Sequence, residues 1–350
     1  MKKVIYTPRS SAFVMSLSLL FFVLLSFGNL AAQSGQYKSK YPDIPIVDVH
    51  VHIRSGEEAA NYLKVSELIK QQTGSNLAYF VGFFQSQNES LADVKAAGKN
   101  RFLFSVRDGR EHRGFFDNSA EIIEKVHHGG YIGLKFWFGD PSRRLQPGMA
   151  GITRIDDPRF APFFSKLEKA NILMTSLHIA DPNGPFGDRQ NWMKDPVFFW
   201  EQIRAFENVV ARYPNLTIVA AHCAWIICQD AQIDYLRYML STYPNLYVDL
   251  SATFPYMHLV NHDNLRDFYM EYQDRILFGT DFTGAFTGDN AIQDKANLFT
   301  DHFATLETDM MVNRGRSKGL NLPKEVLEKI YYKNALKLYP GLKEMMGLSN

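Results

Sequence analysis

The stretch Ile46-Val47-Asp48-Val49-His50-Val51-His52 alternates apolar and polar residues without a break. Side chains alternate between the two faces of a strand, so Val47, Val49 and Val51 are expected on one face and Asp48, His50 and His52 on the other. Seven more short apolar runs follow it: Leu77 to Phe83, Arg101 to Val106, Tyr131 to Phe136, Ile172 to His178, Leu216 to His222, Leu246 to Leu250 and Ile276 to Asp281. Segments with helical spacing separate them, among them Asn118 to His128, Pro158 to Ala170, Pro196 to Tyr213, Ala231 to Tyr243 and Asn261 to Tyr272. Strands joined by helical crossovers form a parallel sheet covered on both faces. Eight such repeats without a long linker predict closure into an α/β fold of the parallel eight-stranded (β/α)8 TIM-barrel type, with a doubly wound open sheet as the alternative. Tyr213-Pro214-Asn215 and Tyr243-Pro244-Asn245 each break a helix just before a strand. The connection Asp181 to Pro196, after the fifth run, is too long for a turn and reads as a lid. Pro323 to Tyr339 reads as a C-terminal helix with Pro323 in its first turn, packed across the barrel wall.

The whole chain of 350 residues has 46% hydrophobic and 21% charged residues, which excludes disorder, collagen and a coiled-coil rod. Its two cysteines cannot staple a small framework, so stability must come from a large core. Lys2, Lys3 and Arg9 precede an apolar run from Ala12 to Leu25, the order of a secretory signal, with Ala31 and Ala32 as the small residues of a cleavage site. Residues 1–32 are therefore expected to be a signal peptide and 33–350 a single exported domain, periplasmic or secreted; an uncleaved anchor is the alternative. Without the head, 35 basic residues face 37 acidic ones, a balance that argues against nucleic acid as a partner. No second membrane span is expected in the remainder. The expected partner is a small-molecule substrate. A homodimer is compatible with the chain but not selected by it.

Chemistry concentrates where the runs end. His50 and His52 project inward near the end of the first strand, and two imidazoles two residues apart can grip one metal ion. The fifth run ends in His178, the sixth in His222 and the eighth in Asp281. Active sites of such barrels lie at the C-terminal ends of the strands, so these side chains are expected to converge on one pocket there. The other six histidines, His112, His127, His128, His258, His262 and His302, fall in loops or helical segments and read as solvated. His258, after the seventh strand, has the best claim among them to the pocket.

These residues resemble the amidohydrolase superfamily, and within it the amidohydrolase-related branch that includes the aminocarboxymuconate semialdehyde decarboxylase-like enzymes. The resemblance rests on Val47 to His52, His178-Ile179-Ala180-Asp181-Pro182, Tyr213-Pro214-Asn215 leading to His222, Tyr243 to Asp249, Asp274 to Asp281, and Leu322-Pro323 through Lys333-Asn334-Ala335. It implies one divalent metal, zinc first and manganese as the alternative, held by His50, His52, His178 and Asp281. It implies His222 beside the metal as catalytic acid or base. A metal with nitrogen and oxygen ligands and an open position lowers the pKa of bound water toward ~7. The first functional expectation is thus an exported metal-dependent hydrolase of a small ester, lactone or amide, with Asp281 or His222 moving the proton to the leaving group. The second is a non-oxidative decarboxylase of a small carboxylic acid, and a non-catalytic binding protein is the third.

Lys135 closes the fourth run and reads as a substrate contact, a carbamylated bridge between two metals, or a structural salt bridge. Arg54, two residues past His52, is expected to touch substrate, as a guanidinium fork suits a carboxylate or phosphate. Arg107, Arg110 and Arg189 have weaker claims. Trp137 and Trp192 could supply an apolar wall to the pocket but read first as core. Cys223 and Cys228 are expected to form no disulfide.

Overall fold

The computed structural model describes residues 37–86, 88–107, 117–139, 152–183, 195–284 and 288–348. The expected signal peptide, most of the Asp181–Pro196 connection, Arg110, His112, Arg189 and Trp192 lie outside the described residues.

Eight parallel strand positions follow the apolar runs: β1 (Pro45–Ile53), β2 (Asn76–Phe84), β3 (Phe102–Arg107), β4 (Leu134–Phe138), β5 (Met174–Ile179), β6 (Ile218–Ala220), β7 (Leu246–Asp249) and an eighth split into β8 (Ile276–Leu277) and β9 (Phe282–Thr283). The sheet runs β8-β7-β6-β5-β4-β3-β2-β1-β9. Its two ends are halves of one strand. Ile276 and Leu277 pair with Val248 and Asp249 of β7, whereas Phe282 and Thr283 pair with Val51 and His52 of β1. Between them Val49 N–H donates to Phe278 O at 3.0 Å and Asp281 N–H to His50 O at 3.0 Å. The sheet is therefore closed, as an α/β barrel. No described helix is long and apolar enough to cross a membrane.

The alternation expected in β1 fails at one point. Asp48 pairs with Phe80 and Val51 with Gly82, so Val49 and His50 together stand opposite one residue, Val81. This is a β-bulge, which resets the inward face. Before it, Val47 and Val49 point into the barrel, where they meet Val81, Phe83, Leu103, Val219 and Leu277, residues of four other strands. Asp48 is turned to the helix layer instead, where its carboxylate accepts hydrogen bonds from Tyr62 and, at 2.5 Å, Thr280. After the bulge His50 and His52 face inward. The expected face for the histidines stands, while the expected faces for Asp48, Val47 and Val49 are exchanged.

Helices α1 (Gly56–Thr73), α2 (Leu91–Ala97), α3 (Ser119–His127), α4 (Ala161–Lys169), α5 (Pro196–Arg212), α6 (Asp230–Thr242), α7 (His262–Glu271) and α8 (Asp289–Glu307) cover the outside. Local chemistry sets their ends. The Ser55 hydroxyl accepts from Glu58 N–H at 3.2 Å and caps α1, which stops at Gly74 in the left-handed conformation, φ 83°. The two Tyr-Pro-Asn junctions are clamped from the next repeat: Asn245 donates to the carbonyls of Tyr213 and Leu216 at 3.0 and 3.1 Å, and Arg275 to those of Tyr243 and Leu246 at 3.3 and 2.8 Å.

The C-terminal helix runs from α9 (Lys324–Glu328) through a π turn over Lys329–Lys333 into α10 (Asn334–Leu338), and α11 (Leu342–Met345) follows. Pro323 caps it rather than entering its first turn. In the π turn Asn334 N–H reaches Lys329 O, and Ile330 O accepts from Phe278 N–H of the eighth strand at 3.0 Å. Ala335, Tyr339 and Leu342 then join the interior cluster from below. The helix thus plugs the barrel floor rather than lying across its wall.

Candidate active site

The strand exits are held in an unusual backbone conformation. Ala180 after β5, His222 after β6, Ala252 after β7 and Asp281 between β8 and β9 all have φ between 56° and 60°. Residues 222–225 are left-handed in succession, at roughly 1–2 kcal/mol per residue. Side-chain bonds hold them there: Asp249 Oδ1 accepts from His222 N–H at 3.1 Å, and Cys223 Sγ–H donates to Asp249 O at 3.4 Å. Gly279 has no side chain for a reason of space. A Cβ there would stand 3.0 Å from His50 Cβ and 3.1 Å from Ser251 Cβ.

The left-handed turn at Asp281 aims its carboxylate at the two histidines of β1. Asp281 Oδ1 lies 3.4 Å from His50 Nε2 and 3.2 Å from His52 Nε2, and the three donor atoms all fall within 4.8 Å of one another. Behind them, His50 Nδ1–H donates to Asp249 Oδ2 at 2.9 Å, which leaves the Nε2 lone pair facing the cluster. The Ser251 hydroxyl bonds the other Asp249 oxygen and lies 2.9 Å from Nδ1 of both His50 and His222. Burial alone would raise the Asp281 carboxyl, but the hydrogen bond from His52 and the nearby His50 and His222 outweigh it and hold the group well below its usual range. The same contest, won by His50, His222 and Ser251, holds Asp249 low. Burial pushes His52 down to about 4 against the pull of Asp281, and pushes His178 and His222 down as well.

His178 stands beside this trio rather than within it. Its Nδ1 is 3.0 Å from His222 Nε2, and its Nε2 is 3.0 Å from Ala180 O and 3.5 Å from Asp181 Oδ1. His222 Nδ1 in turn is 2.7 Å from Ser251 O. A carbonyl at each end of this chain asks for a proton on His178 Nε2 and one on His222 Nδ1. Two neutral rings then have no proton left for the contact between them, where two lone pairs meet. A cation that takes the His178 Nδ1 lone pair would resolve the conflict and leave His222 Nε2 free, and a set of imidazole nitrogens with a carboxylate oxygen suits zinc or manganese.

Above the cluster opens a cavity of about 840 Å³. Its lining brings together His52, His178, His222, Asp281, Arg54 and Lys135, all expected at the site; His50 lies beneath them. Lys135 is the second residue of β4, not its last, and is buried; its Nζ lies 2.9 Å from Ser176 Oγ and 3.2 Å from His50 Nε2. Arg54 is half exposed and gives its Nε and Nη2 to Glu58 Oε1 at 2.9 and 2.7 Å. Arg107 also borders the cavity. Cys223 and Cys228 are free, buried thiols; burial pushes Cys228 to about 12, and neither belongs to the metal-ligating group.

Trp137 and His302 depart from their expected places. Trp137 lines the cavity instead of the core, because it alternates inward with Lys135 along β4. His258 is half-buried, bonds Pro255 O at 2.9 Å and is not in the cavity wall. His302, read as solvated, is buried and does line it. Trp225, which carried no expectation, stacks on His222 with ring centroids 4.6 Å apart. Asp249 and Ser251 were also not assigned to the site. Asp249 is the last residue of β7 but the second-to-last of the apolar run Leu246 to Leu250, which hides it from a reading of run ends.

Comparison with known proteins agrees with this architecture. The family described as Amidohydrolase matches residues 47–341. An uncharacterised TIM-barrel protein from Bordetella bronchiseptica superposes with a TM-score of 0.51 at 16% identity, covering 87% of this chain and 99% of that one. A dihydroxybenzoic acid decarboxylase from Polaromonas sp. JS666, with bound manganese and 2-nitroresorcinol, gives 0.49 at 14% identity, covering 84% of this chain and 96% of the other. A 5-carboxyvanillate decarboxylase from Novosphingobium aromaticivorans, with manganese and a nitrobenzoic acid, gives 0.48 at 12%, covering 87% and 98%. No curated protein matches the sequence. With the match spanning the barrel from the first strand to the C-terminal plug, the chain belongs to the amidohydrolase family.

Proposed function

We propose that the chain is an enzyme that binds one divalent cation through His50, His52, His178 and Asp281 and removes the carboxyl group of a small aromatic carboxylic acid as carbon dioxide. The observation that carries this reading is the cavity wall. Lys135 and Arg107 put cationic groups where an anionic substrate would sit, Arg54 standing there paired with Glu58, and Trp137, Trp225 and Tyr256 provide flat apolar walls for a ring. That lining favours the second sequence expectation over the first.

When bound, zinc or manganese would supply Lewis acidity and an anchor for substrate oxygens. The chain's own residues do the rest. Lys135 offsets the carboxylate's charge in a buried setting, and the tryptophans hold the ring. His222, kept neutral by burial, holds one proton at Nδ1 toward Ser251 O and leaves Nε2 to take or pass another. In the reaction the carbon–carboxylate bond breaks, its electron pair stays on the ring carbon, and a proton takes the vacated position. Nothing is oxidised.

Hydrolysis of an ester, lactone or amide is the second reading. His222, neutral and in the cavity wall, favours it as a base able to take a proton from water. Incubating metal-loaded protein with hydroxybenzoic acids, esters, lactones and amides in deuterated, oxygen-18-labelled water separates the two. Carbon dioxide release with one deuteron on the product carbon supports decarboxylation; labelled oxygen in the product without carbon dioxide overturns it in favour of hydrolysis. Failure of the metal-loaded protein to turn over any of them would overturn both.

A further inference from the structure

His302 lies on α8, outside the barrel strands, yet it forms part of the cavity wall that also holds His52, Lys135 and Asp281. Its ring is buried, at 3% exposure. It stacks face to face on Phe254, with centroids 4.0 Å apart and planes 7° from parallel, and leans on Phe299 at 5.7 Å. Two aromatic neighbours fix the ring and offer it no hydrogen bond. Among the described residues, Nδ1 is sealed from solvent without a partner. Nε2 is not sealed in this way, and His302 is one of the residues that line the cavity.

A buried polar atom without a partner is costly and uncommon in a folded protein. An apolar side chain of similar shape would pack against Phe254 and Phe299 without that cost. The tautomer follows from the same consideration. A sealed N–H would waste a donor, so Nδ1 carries the lone pair and Nε2 the proton. Burial, with no carboxylate to oppose it, pushes the ring down to about 3, so it stays neutral at physiological pH.

We infer that His302 is a substrate-binding residue whose Nε2–H donates a hydrogen bond to a neutral oxygen substituent, a hydroxyl or a carbonyl, on the substrate ring. It would set substrate selectivity, leaving the carboxylate to the cations on the same wall. A neutral donor cannot balance a carboxylate's charge but does discriminate between a ring that bears an oxygen and one that does not. This inference rests on the proposed reading that the cavity takes an aromatic acid.

The test uses the zinc- or manganese-loaded full chain and requires no turnover. Benzoate, 3-hydroxybenzoate and 4-hydroxybenzoate are titrated, and binding is read from the fluorescence of Trp137 and Trp225 in the cavity wall. The unsubstituted protein should bind one of the hydroxybenzoates about 5- to 10-fold more tightly than benzoate, the range of one neutral hydrogen bond. His302→Phe, which keeps the stack, should abolish that preference and leave benzoate binding unchanged. His302→Gln, which returns an amide donor near Nε2, should restore part of it. Metal content should be the same in all three proteins. The inference is overturned if the unsubstituted protein binds hydroxybenzoates no better than benzoate, or if His302→Phe weakens all three ligands alike. Selective binding without carbon dioxide release would overturn the decarboxylase reading and leave His302 in place. Carbon dioxide release with an unselective His302 would do the reverse.

Discussion

Asp249 decides which nitrogen of His50 faces His52 and Asp281, and with His50 and His222 it forms a second close group of donor atoms. Its Oδ2 holds His50 Nδ1–H, its Oδ1 holds the backbone of His222 and Ser251, and the carboxylate stays charged because these partners outweigh its burial. Replacing Asp249 by Asn keeps the shape but removes the charge and lets the amide present a donor. Zinc affinity, measured by competition with a chromophoric chelator, should fall about 10- to 100-fold. An unchanged affinity would mean that His50 is oriented by something else. The individual residues differ in how much of their role the chain reveals. His52, His178, His222 and Asp281 are legible because each closes an apolar run, and His50 because it stands two residues before His52; Asp249 stands one residue short of the end of its run. Ser251 and His302 are not legible. Ser251 acts from a loop, and the cavity-facing turn of α8 depends on how that helix packs over the barrel.

At the scale of elements, the alternation of apolar runs and helical segments placed all eight strand positions, because each strand is buried on both faces and so must be apolar throughout. Periodicity could not show the bulge, since Val49 and His50, the two residues opposite Val81, continue the apolar–polar pattern unbroken. Nor could it show that the sixth strand ends at Ala220 and gives way to a left-handed turn, as residues with φ near 55° there are not glycines. The C-terminal plug was read as a helix but assigned to the wall. Its position beneath the barrel has a measurable consequence. Leu342 is fully buried among interior residues of β1, β2, β3, β6 and the eighth strand. Leu342→Ala should therefore cost about 2–5 kcal/mol in urea unfolding, as a core truncation does. A loss under about 0.5 kcal/mol, the range of surface substitutions, would show that the helix is not part of the core.

For the molecule as a whole, the site sets how stability responds to pH. His52 and His302 fall from 6.5 to about 4 and about 3 on folding, and His178 and His222 are lowered too. The unfolded chain therefore binds more protons than the folded one below pH 6.5. Their contribution is fully present above the unfolded pKa and is lost as pH falls from 6.5 toward 3. Asp48, raised by burial to about 6, works in the opposite direction between 3.8 and 6, but it is one group against four. The urea midpoint of metal-free protein should drop between pH 7 and pH 5, and His302→Phe should shrink that drop. A midpoint that is flat or rises on acidification would contradict the burial of four neutral histidines.

The proposed site gathers one cation between the first and eighth strands where they close the barrel. Metal per chain, measured by plasma mass spectrometry after equilibration with zinc or manganese and removal of free ion, tests it most directly. The full chain should carry one ion, and the double variant His50→Ala, His52→Ala should carry none under the same conditions. A full chain without metal, or a double variant that still holds its ion, would contradict it.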